Sequence, residues 1–443
     1  MFNALLGMGA QRQALQNVSS TEHTANNTNT AIYASMTVFS LLGGGIINLL
    51  GVRLPLLLSG LTYALNTGSY IYAEHRGPSA LPFVIVSAVL MGVGAGVLWS
   101  GQGMVVISYP KEYHRGRFTA FFWVLFNLGG VIGAAILFGI SRERDSVSHI
   151  SLGAYIAILA VQCLGSLVAF ALIPPARVVR RDGAYVTGMQ QATSGITEAR
   201  QVLRMFVNPW LLAFLPMSFA SNFFYTYRFN QYNARLFWPR TRGFNNIFYW
   251  AMQSAGAFAV SLVLDRQAWP RRRRALIAVA LITVLYNAVW LGTLMVEVFD
   301  ADRVIAAGLY DIGDQQGRSA AGAILVYAIS GACDAVWQVL AYWFIGNMAS
   351  DPQIAARYVS FYKCVQSLGS VVAWQLDSRG VRPLVQLIVN WALIDFSLPF
   401  MFYISARTKD TLANYSGPQS VDPSRHSLVS RELEGSHGPP SIR

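Results

Sequence analysis

The chain has 443 residues, of which 54% are apolar and 12% are charged, and its formal net charge is +12. A charged fraction this far below that of average soluble proteins excludes an ordinary soluble domain and indicates a membrane protein. The basic residues collect in loops on one predicted side of a membrane, which excludes a nucleic-acid-binding patch. We therefore expect a lipid bilayer and no nucleic acid among its partners.

Eleven apolar stretches are each long enough to cross a bilayer as a helix, which takes about 20 residues. They lie at 31–50, 54–73, 81–108, 118–140, 150–173, 205–227, 244–264, 275–296, 320–347, 358–376 and 383–404. The predicted fold class is therefore an all-α polytopic membrane protein. Residues 1–30, which precede the stretches, are predicted to be the remnant of a first helix followed by an extracytosolic loop. The tail, 405–443, has no apolar periodicity and is predicted to be disordered and cytosolic.

Loop charges set the predicted orientation. Alternating the loops from an extracytosolic start places the arginine run 271–274 in the cytosol, which agrees with the positive-inside rule. The same orientation leaves the sequons at Asn17 and Asn26 outside the cytosol, where both are predicted glycosylation sites. The plasma membrane and a vacuolar or endosomal membrane are equally compatible with these features.

The long loop 174–204 divides the stretches into an N-terminal half, 31–173, and a C-terminal half, 205–404. Asn48 and Arg53 lie near the cytosolic end of the first stretch, and Asp265 and Arg266 lie at the equivalent place in the second half. Both turns resemble a loop signature of the major facilitator superfamily, in which an acid and arginines hold a cytosolic gate. These four residues are the predicted gate, and a plain basic turn is the alternative.

Charges inside a bilayer are costly and indicate functional sites. Asp334, Lys363 and Asp395 are the formal charges within the stretches, and Asp334 and Asp395 are candidate proton carriers. At about 1.5 Å per residue, Lys363 lies too near the cytosolic end to contact Asp334, so Gln338 is predicted to bridge them. The alternative is that Lys363 extends to the cytosolic headgroups and Asp334 stays protonated.

A wider set of in-span residues is predicted to line a cavity or to couple transport. These candidates are Trp99, Gln102, Asn222, Tyr225, Asp334, Gln338, Lys363 and Gln366. Hydrogen bonding between helices is the alternative role for Gln102 and Asn222. The sequence contains no nucleotide-binding loop, nucleophile elbow or metal-ligand cluster, so we expect no enzyme, no cofactor and no metal.

A series of motifs in order carries a specific resemblance. The motifs are Phe2-Asn3-Ala4-Leu5, Asn29-x-Ala31-x-Tyr33-Ala34, Gly94-Ala95-Gly96 with Trp99-Ser100-Gly101-Gln102-Gly103, Arg240-Thr241-Arg242 with Tyr249-Trp250, Asp334-Ala335-x-Trp337-Gln338, and Arg357 with Tyr362-Lys363 and Gln366. The series resembles the uncoordinated-93-like family, in its fungal branch, which is part of the major facilitator superfamily. The resemblance covers about residues 2–404 and implies a bundle of two six-helix halves.

The resemblance also leaves two functions open. Animal members of the family act as a potassium-channel regulatory subunit or as an escort for immune receptors, and fungal members are described as transporter-like. We therefore expect either a carrier of a small solute, with a proton as the coupling ion, or a transport-inactive regulator of another membrane protein such as an ion channel. Residues 2–9 resemble only the end of the family's first helix, so we also expect the natural form to have a further upstream span.

Overall fold

The computed structural model describes residues 23–111, 114–140, 152–173, 178, 195–313, 320–349 and 351–409. Within these ranges a helix occupies each of the eleven apolar stretches, as predicted, and Phe237 and Tyr310 form an isolated bridge. The α-helices of more than ten residues are α1 (His23–Leu50), α2 (Arg53–Arg76), α3 (Leu81–Ser108), α4 (Arg115–Ile140), α5 (Leu152–Leu167), α6 (Gly195–Met205), α7 (Pro209–Ala220), α8 (Pro239–Leu264), α9 (Arg271–Met295), α10 (Ala321–Met348), α11 (Pro352–Ser378) and α12 (Pro383–Arg407).

Local chemistry fixes where the helices begin and end. Asp351 caps α11, because its carboxylate accepts a hydrogen bond of 2.9 Å from the N–H of Ile354, and Pro352 occupies the first helical position. Past the other end of α11, Gly380 has a φ of 66°, a left-handed conformation that glycine adopts readily. The chain thereby reverses into α12 within a short turn.

The segment after α7 departs from regular α-helical geometry. A short α-helical piece, Phe224–Thr226, leads into a π-helix, Tyr227–Ala234. The segment continues the direction of α7 beyond residue 227, where the apolar stretch ends. Wide π-helical turns occur frequently at functional sites, and this one carries polar side chains into the protein interior.

Helix α10 is the most deeply buried of the spanning helices. Its most apolar window is 78% buried, whereas the corresponding windows of the other spanning helices are 39–50% buried. It packs closely on α8, because a Cβ atom at Gly331 would lie 2.2 Å from the carbonyl oxygen of Tyr249, and one at Gly256 would lie 2.6 Å from that of Ala332. Small residues thus bring Tyr249 near the polar side chains of α10.

Helices of the two predicted halves meet along two seams. Helix α1 packs against α3 and also against α11, and α4 packs against α8. The predicted loop 174–204 contributes the amphipathic helix α6, which joins the segment Pro209–Ala234 with a bend of 75°. Helix α6 contacts both α1 and α11, and α3 also packs against α11, so further contacts between the halves lie beside the two seams.

Length and apolarity alone select fewer spans than the eleven predicted. Seven helical stretches in the described residues are long and apolar enough to cross a membrane, or eight if the bent pair at 195–234 is one span. One of the seven, Arg53–Ser108, contains both α2 and α3. The short helix around 155–171 and α11 do not meet these criteria, and α11 falls short because it buries polar residues such as Ser360, Lys363 and Gln366.

Candidate functional site

Asp334 lies on α10 and is completely buried, surrounded by neutral hydrogen-bond donors. Its Oδ2 atom accepts hydrogen bonds from the hydroxyls of Tyr225, at 2.7 Å, and Tyr249, at 3.1 Å. Gln253 Nε2 donates to the same oxygen at 2.7 Å, and Gln338 Nε2 lies 3.5 Å from Oδ1. A buried carboxylate is tolerated when donors of this kind replace its water shell.

Lys363 lies on α11 and is 2% exposed, so it does not extend to the headgroups as the alternative interpretation had it. Its ammonium group donates to Gln366 Oε1 at 2.8 Å and lies 4.4 Å from the centroid of the Trp99 ring. It also lies 4.9 Å from the ring of Tyr362 and 5.5 Å from that of Tyr342. Aromatic faces attract a cation, but among the described residues no carboxylate forms an ion pair with Lys363.

Neutral amides connect the two buried charges. Gln366 Nε2 donates to Gln338 Oε1 and to Asn222 Oδ1, both at 3.1 Å. Gln338 Nε2 in turn donates to Asn222 Oδ1 at 2.9 Å and approaches Asp334. The structure therefore brings together the predicted residues Asp334, Gln338 and Lys363, with Gln366 as an additional link between the lysine and Gln338.

A small cavity of about 50 Å³ lies beside this network. Six of the eight predicted residues line it, from both halves of the chain: Trp99, Asn222, Tyr225, Gln338, Lys363 and Gln366. The remaining lining residues are Ile32, Tyr33, Met36, Tyr63, Trp123 and Phe126. We call this space the central cavity.

Two predicted residues do not line the central cavity. Asp334 lies behind the amides, and Gln102 lines a neighbouring cavity of about 570 Å³ between helices α2, α3, α4 and α5. The two cavities share Tyr63, Trp99 and Phe126 as lining residues. Gln102 Oε1 accepts a hydrogen bond of 3.3 Å from Tyr342, which is the interhelical role given above as its alternative.

Arg228 is a buried charge that the sequence analysis missed. It lies in the π-helix and is 1% exposed, with Nη1 donating to Thr293 Oγ1 at 2.7 Å and the guanidinium 4.3 Å from the Trp290 ring centroid. Among the described residues its Nη2 atom has no hydrogen-bond partner. The signal that could have found it is a charged residue directly after the apolar stretch 205–227.

Asp395, a predicted proton carrier, is exposed on α12 and lies away from the central cavity. It accepts a hydrogen bond of 3.1 Å from Asn287.

The predicted gate residues lie at the inner end, our term for the end of the helices predicted to face the cytosol. Asp265, directly after α8, accepts hydrogen bonds from the N–H groups of Gly116, at 2.9 Å, and Arg117, at 2.7 Å, where α4 begins. A carboxylate at a helix N-terminus is stabilised by the helix dipole. Burial raises the pKa of Asp265 above its ordinary value, and these two hydrogen bonds oppose the shift. Asp265 thus joins the two halves.

The other three gate residues make different contacts. Asn48 Nδ2 donates to Glu198 Oε2 at 3.3 Å, and Arg357 binds both carboxylate oxygens of Glu198, at 3.0 Å and 2.5 Å. The turn at Asn48 and Arg53 has no acidic residue of its own, and Glu198, on α6, places a carboxylate beside Asn48. Arg53 donates to the carbonyl oxygen of Leu172 at 2.6 Å, and Arg266 lies 4.3 Å from the Trp269 ring centroid, so neither reaches the other half through these contacts.

The opposite, outer end is joined by a carboxylate among amides. Asp377 on α11 accepts hydrogen bonds from Asn26 at 2.9 Å, Asn230 at 2.7 Å, Gln231 at 2.5 Å and Gln386 at 3.2 Å. Asn26 is only 4% exposed, and its Nδ2 atom, which would carry a glycan, is the donor to Asp377. This conformation has no room for a glycan on Asn26, which contradicts that prediction here, and Asn17 lies outside the described residues.

Comparison with known proteins identifies the family. A model of the family described as "Ion channel regulatory protein UNC-93" matches residues 17–236. Over 416 residues the chain is 42% identical to UNC93-like protein 1 of Arabidopsis thaliana, an alignment that covers 93% of this chain and 88% of the relative. The chain belongs to the UNC93-like family. An UNC93-like protein of Schizosaccharomyces pombe is 33% identical over 90% of this chain and 77% of its own length. Membership of the fungal branch of the family stays a prediction.

Solved structures show the fold of this UNC93-like chain. The xylose transporter XylE of E. coli, in a partially occluded inward-open conformation, matches with a TM-score of 0.60 at 12% identity, covering 90% of this chain and 93% of the transporter. A bacterial homologue of the iron transporter ferroportin, in an outward-facing state, matches with a TM-score of 0.64 at 11% identity, covering 92% and 99%. The chain is an integral multi-pass membrane protein with the fold of the major facilitator superfamily, as the motifs implied.

Proposed function

We propose that this UNC93-like chain is a secondary transporter that moves a small solute by alternating access, and that it is not an enzyme. The observation that carries the proposal is the central cavity, where α3 contributes Trp99, α7 and its continuation contribute Asn222, and α11 contributes Lys363. Side chains from both predicted halves therefore surround one small polar space. A binding site between two halves that move against each other is the arrangement that alternating access requires.

The contacts at the two ends support the same proposal. We call the contacts of Asp265 with α4 and of Glu198 with Asn48 and Arg357 the inner latch, and those of Asp377 with Asn26, Asn230, Gln231 and Gln386 the outer latch. Each latch includes hydrogen bonds that join helices of opposite halves. Alternating access needs such contacts to break at one end at a time.

The test is solute uptake by sealed vesicles that contain the purified protein. A panel of neutral, anionic and cationic small solutes should be offered with and without a proton gradient, since several structural relatives are proton symporters by their own description. We expect at least one solute to accumulate above the level in protein-free vesicles, with a rate that falls when the cavity residue Gln338 is replaced by Leu. No uptake of any panel member, from protein shown to be folded, would contradict the proposal.

A second candidate function is regulation or escort of another membrane protein, such as an ion channel. The observation that favours it is the description of the family whose model matches the chain. A regulator that transports nothing would still act on its partner when leucine side chains fill the cavity. If Gln338→Leu and Asn222→Leu leave the activity of the partner channel unchanged, and wild-type vesicles show no uptake, regulation is the better explanation.

A further inference from the structure

The central cavity is bordered by Lys363, a buried positive charge that forms no ion pair with a carboxylate in the part of the chain that the structure describes. Lys363 donates to one amide oxygen and otherwise faces aromatic rings. Asp334, the acid hydrogen-bonded into the same network, already accepts from Tyr225, Tyr249 and Gln253. Because a buried ammonium group without a counter-ion is costly, a ligand that supplies negative charge would lower that cost.

The direction of the hydrogen bonds leads to the same ligand class. An ammonium group can only donate, so Lys363 must be paired with the oxygen of Gln366, which directs the Gln366 amide nitrogen towards the oxygens of Gln338 and Asn222. Gln338 Nε2 also donates to Asn222 Oδ1. The donor-only chemistry of one lysine thus sets the orientation of three amides in turn.

The consequence is that the network offers donors to the cavity and has already used its acceptors. The oxygen of Asn222 accepts two hydrogen bonds, and the oxygens of Gln338 and Gln366 are also engaged. Asn222 lines the cavity, and its Nδ2 atom donates no hydrogen bond within the described residues. The ammonium hydrogens of Lys363 and the amide hydrogens of Asn222 therefore remain for a ligand, as does the indole N–H of Trp123, which lines the cavity and has no hydrogen-bond partner among the described residues.

We propose that the central cavity binds a small anion, a carboxylate of the size of formate or acetate, between Lys363 and Asn222. A cavity of about 50 Å³ holds on the order of four waters, which limits the ligand in this conformation to a few non-hydrogen atoms. Carboxylate oxygens only accept hydrogen bonds, which matches the free donors. This inference rests on the proposed transport function and names the substrate class for it.

The experiment measures equilibrium binding to the purified full chain. Radiolabelled formate and acetate are the probes, with glycerol as the neutral and methylammonium as the cationic comparison, at constant ionic strength set with gluconate. We expect both carboxylates to bind, and Lys363→Met to weaken binding by at least about ten-fold, as for loss of a hydrogen bond to a charged group. Asn222→Asp, which places an acid against the anion, should weaken it as much without changing side-chain volume.

The matched control is Lys409→Met, the same substitution at an exposed lysine outside the spanning helices, which should leave binding unchanged. Binding that is equal in Lys363→Met, Asn222→Asp and the control would overturn the inference, as would the absence of carboxylate binding to the wild-type chain. Vesicles that accumulate only a neutral or cationic solute would overturn the anion and leave transport standing. Lys363-dependent carboxylate binding without any uptake would support the anion site and contradict transport.

Discussion

Asp334 and Lys363 are two buried charges in one hydrogen-bond network, and their surroundings differ. Asp334 is fully buried and accepts from two tyrosine hydroxyls and a glutamine amide, with a second glutamine nearby. Lys363 has one hydrogen-bonded oxygen and three aromatic rings, and it borders the central cavity. Within the described residues the first charge accepts several hydrogen bonds, and the second has one hydrogen-bond partner and no ion pair.

Under the proposed anion site, this difference separates a structural charge, Asp334, from a ligand-binding one, Lys363. Donors that converge on Asp334 belong to the short helical piece Phe224–Thr226, to α8 and to α10, so the carboxylate joins these elements of the C-terminal half. Lys363 instead reaches across to Trp99 of the N-terminal half. A charge whose needs are met by its own half gains little from a ligand, whereas an undersatisfied charge between the halves can respond to one.

The largest expected effect comes from removing Asp334, the buried charge that accepts several hydrogen bonds within the protein. Asp334→Leu leaves the Tyr225, Tyr249 and Gln253 donors buried without an acceptor, and we expect it to lower the free energy of unfolding by about 3 kcal/mol or more. Asp395→Leu is the matched control, since Asp395 is exposed on α12, and it should change stability by less than about 0.5 kcal/mol. Unfolding in detergent measures both, and equal stabilities would show that the donors around Asp334 find other partners.

A smaller effect is expected for the coupling between the two charges. Because Gln366 and Gln338 separate Lys363 from Asp334, the interaction energy from the cycle of Asp334→Asn, Lys363→Gln and the double variant should be about 0.5–1 kcal/mol. The losses of unfolding free energy in the two single variants should then sum to more than the loss in the double variant. Strict additivity, as expected for the control pair Asp334→Asn with Lys409→Gln, would show that the amides do not couple the charges.

The smallest effect on stability is expected where the undersatisfied charge is removed. Lys363→Met fills a similar volume and removes a buried ammonium group, while it costs Gln366 one hydrogen bond, so the net change should be less than about 1 kcal/mol. Thermal melting of the purified variant beside Gln366→Met measures this. A loss of stability as large as that of Asp334→Leu would show that Lys363 also has a structural role.

The sequence predicted the helices and most of the cavity because both depend on simple rules. A helix must satisfy its own backbone in a bilayer, so each long apolar stretch became one. Polar residues inside such stretches are rare, and six of the eight named candidates line one cavity. The glycan at Asn26 was predicted from a sequon, and a sequon contains no information on the burial that places Asn26 against Asp377.

The residues that sequence reasoning missed depend on contacts between distant segments. Arg228 lies in a π-helix that follows α7 and continues past the apolar stretch 205–227, so it was counted as part of a loop. Tyr249 looks like an ordinary membrane tyrosine until the close packing of α8 on α10 brings its hydroxyl to Asp334. Glu198 lies in the predicted central loop, and only the fold of α6 brings it to Asn48 and Arg357.

The most direct test of the central claim compares Lys363→Met with Asp334→Asn in solute exchange across vesicles without a proton gradient. The solute is the panel member that wild-type vesicles take up, and rates are expressed per folded molecule. We expect Lys363→Met to be well folded but to exchange no faster than protein-free vesicles. We expect Asp334→Asn, which keeps an acceptor oxygen, to be less stable but to exchange at a rate near wild type. Wild-type exchange by Lys363→Met, with none by folded Asp334→Asn, would contradict the division between the two charges.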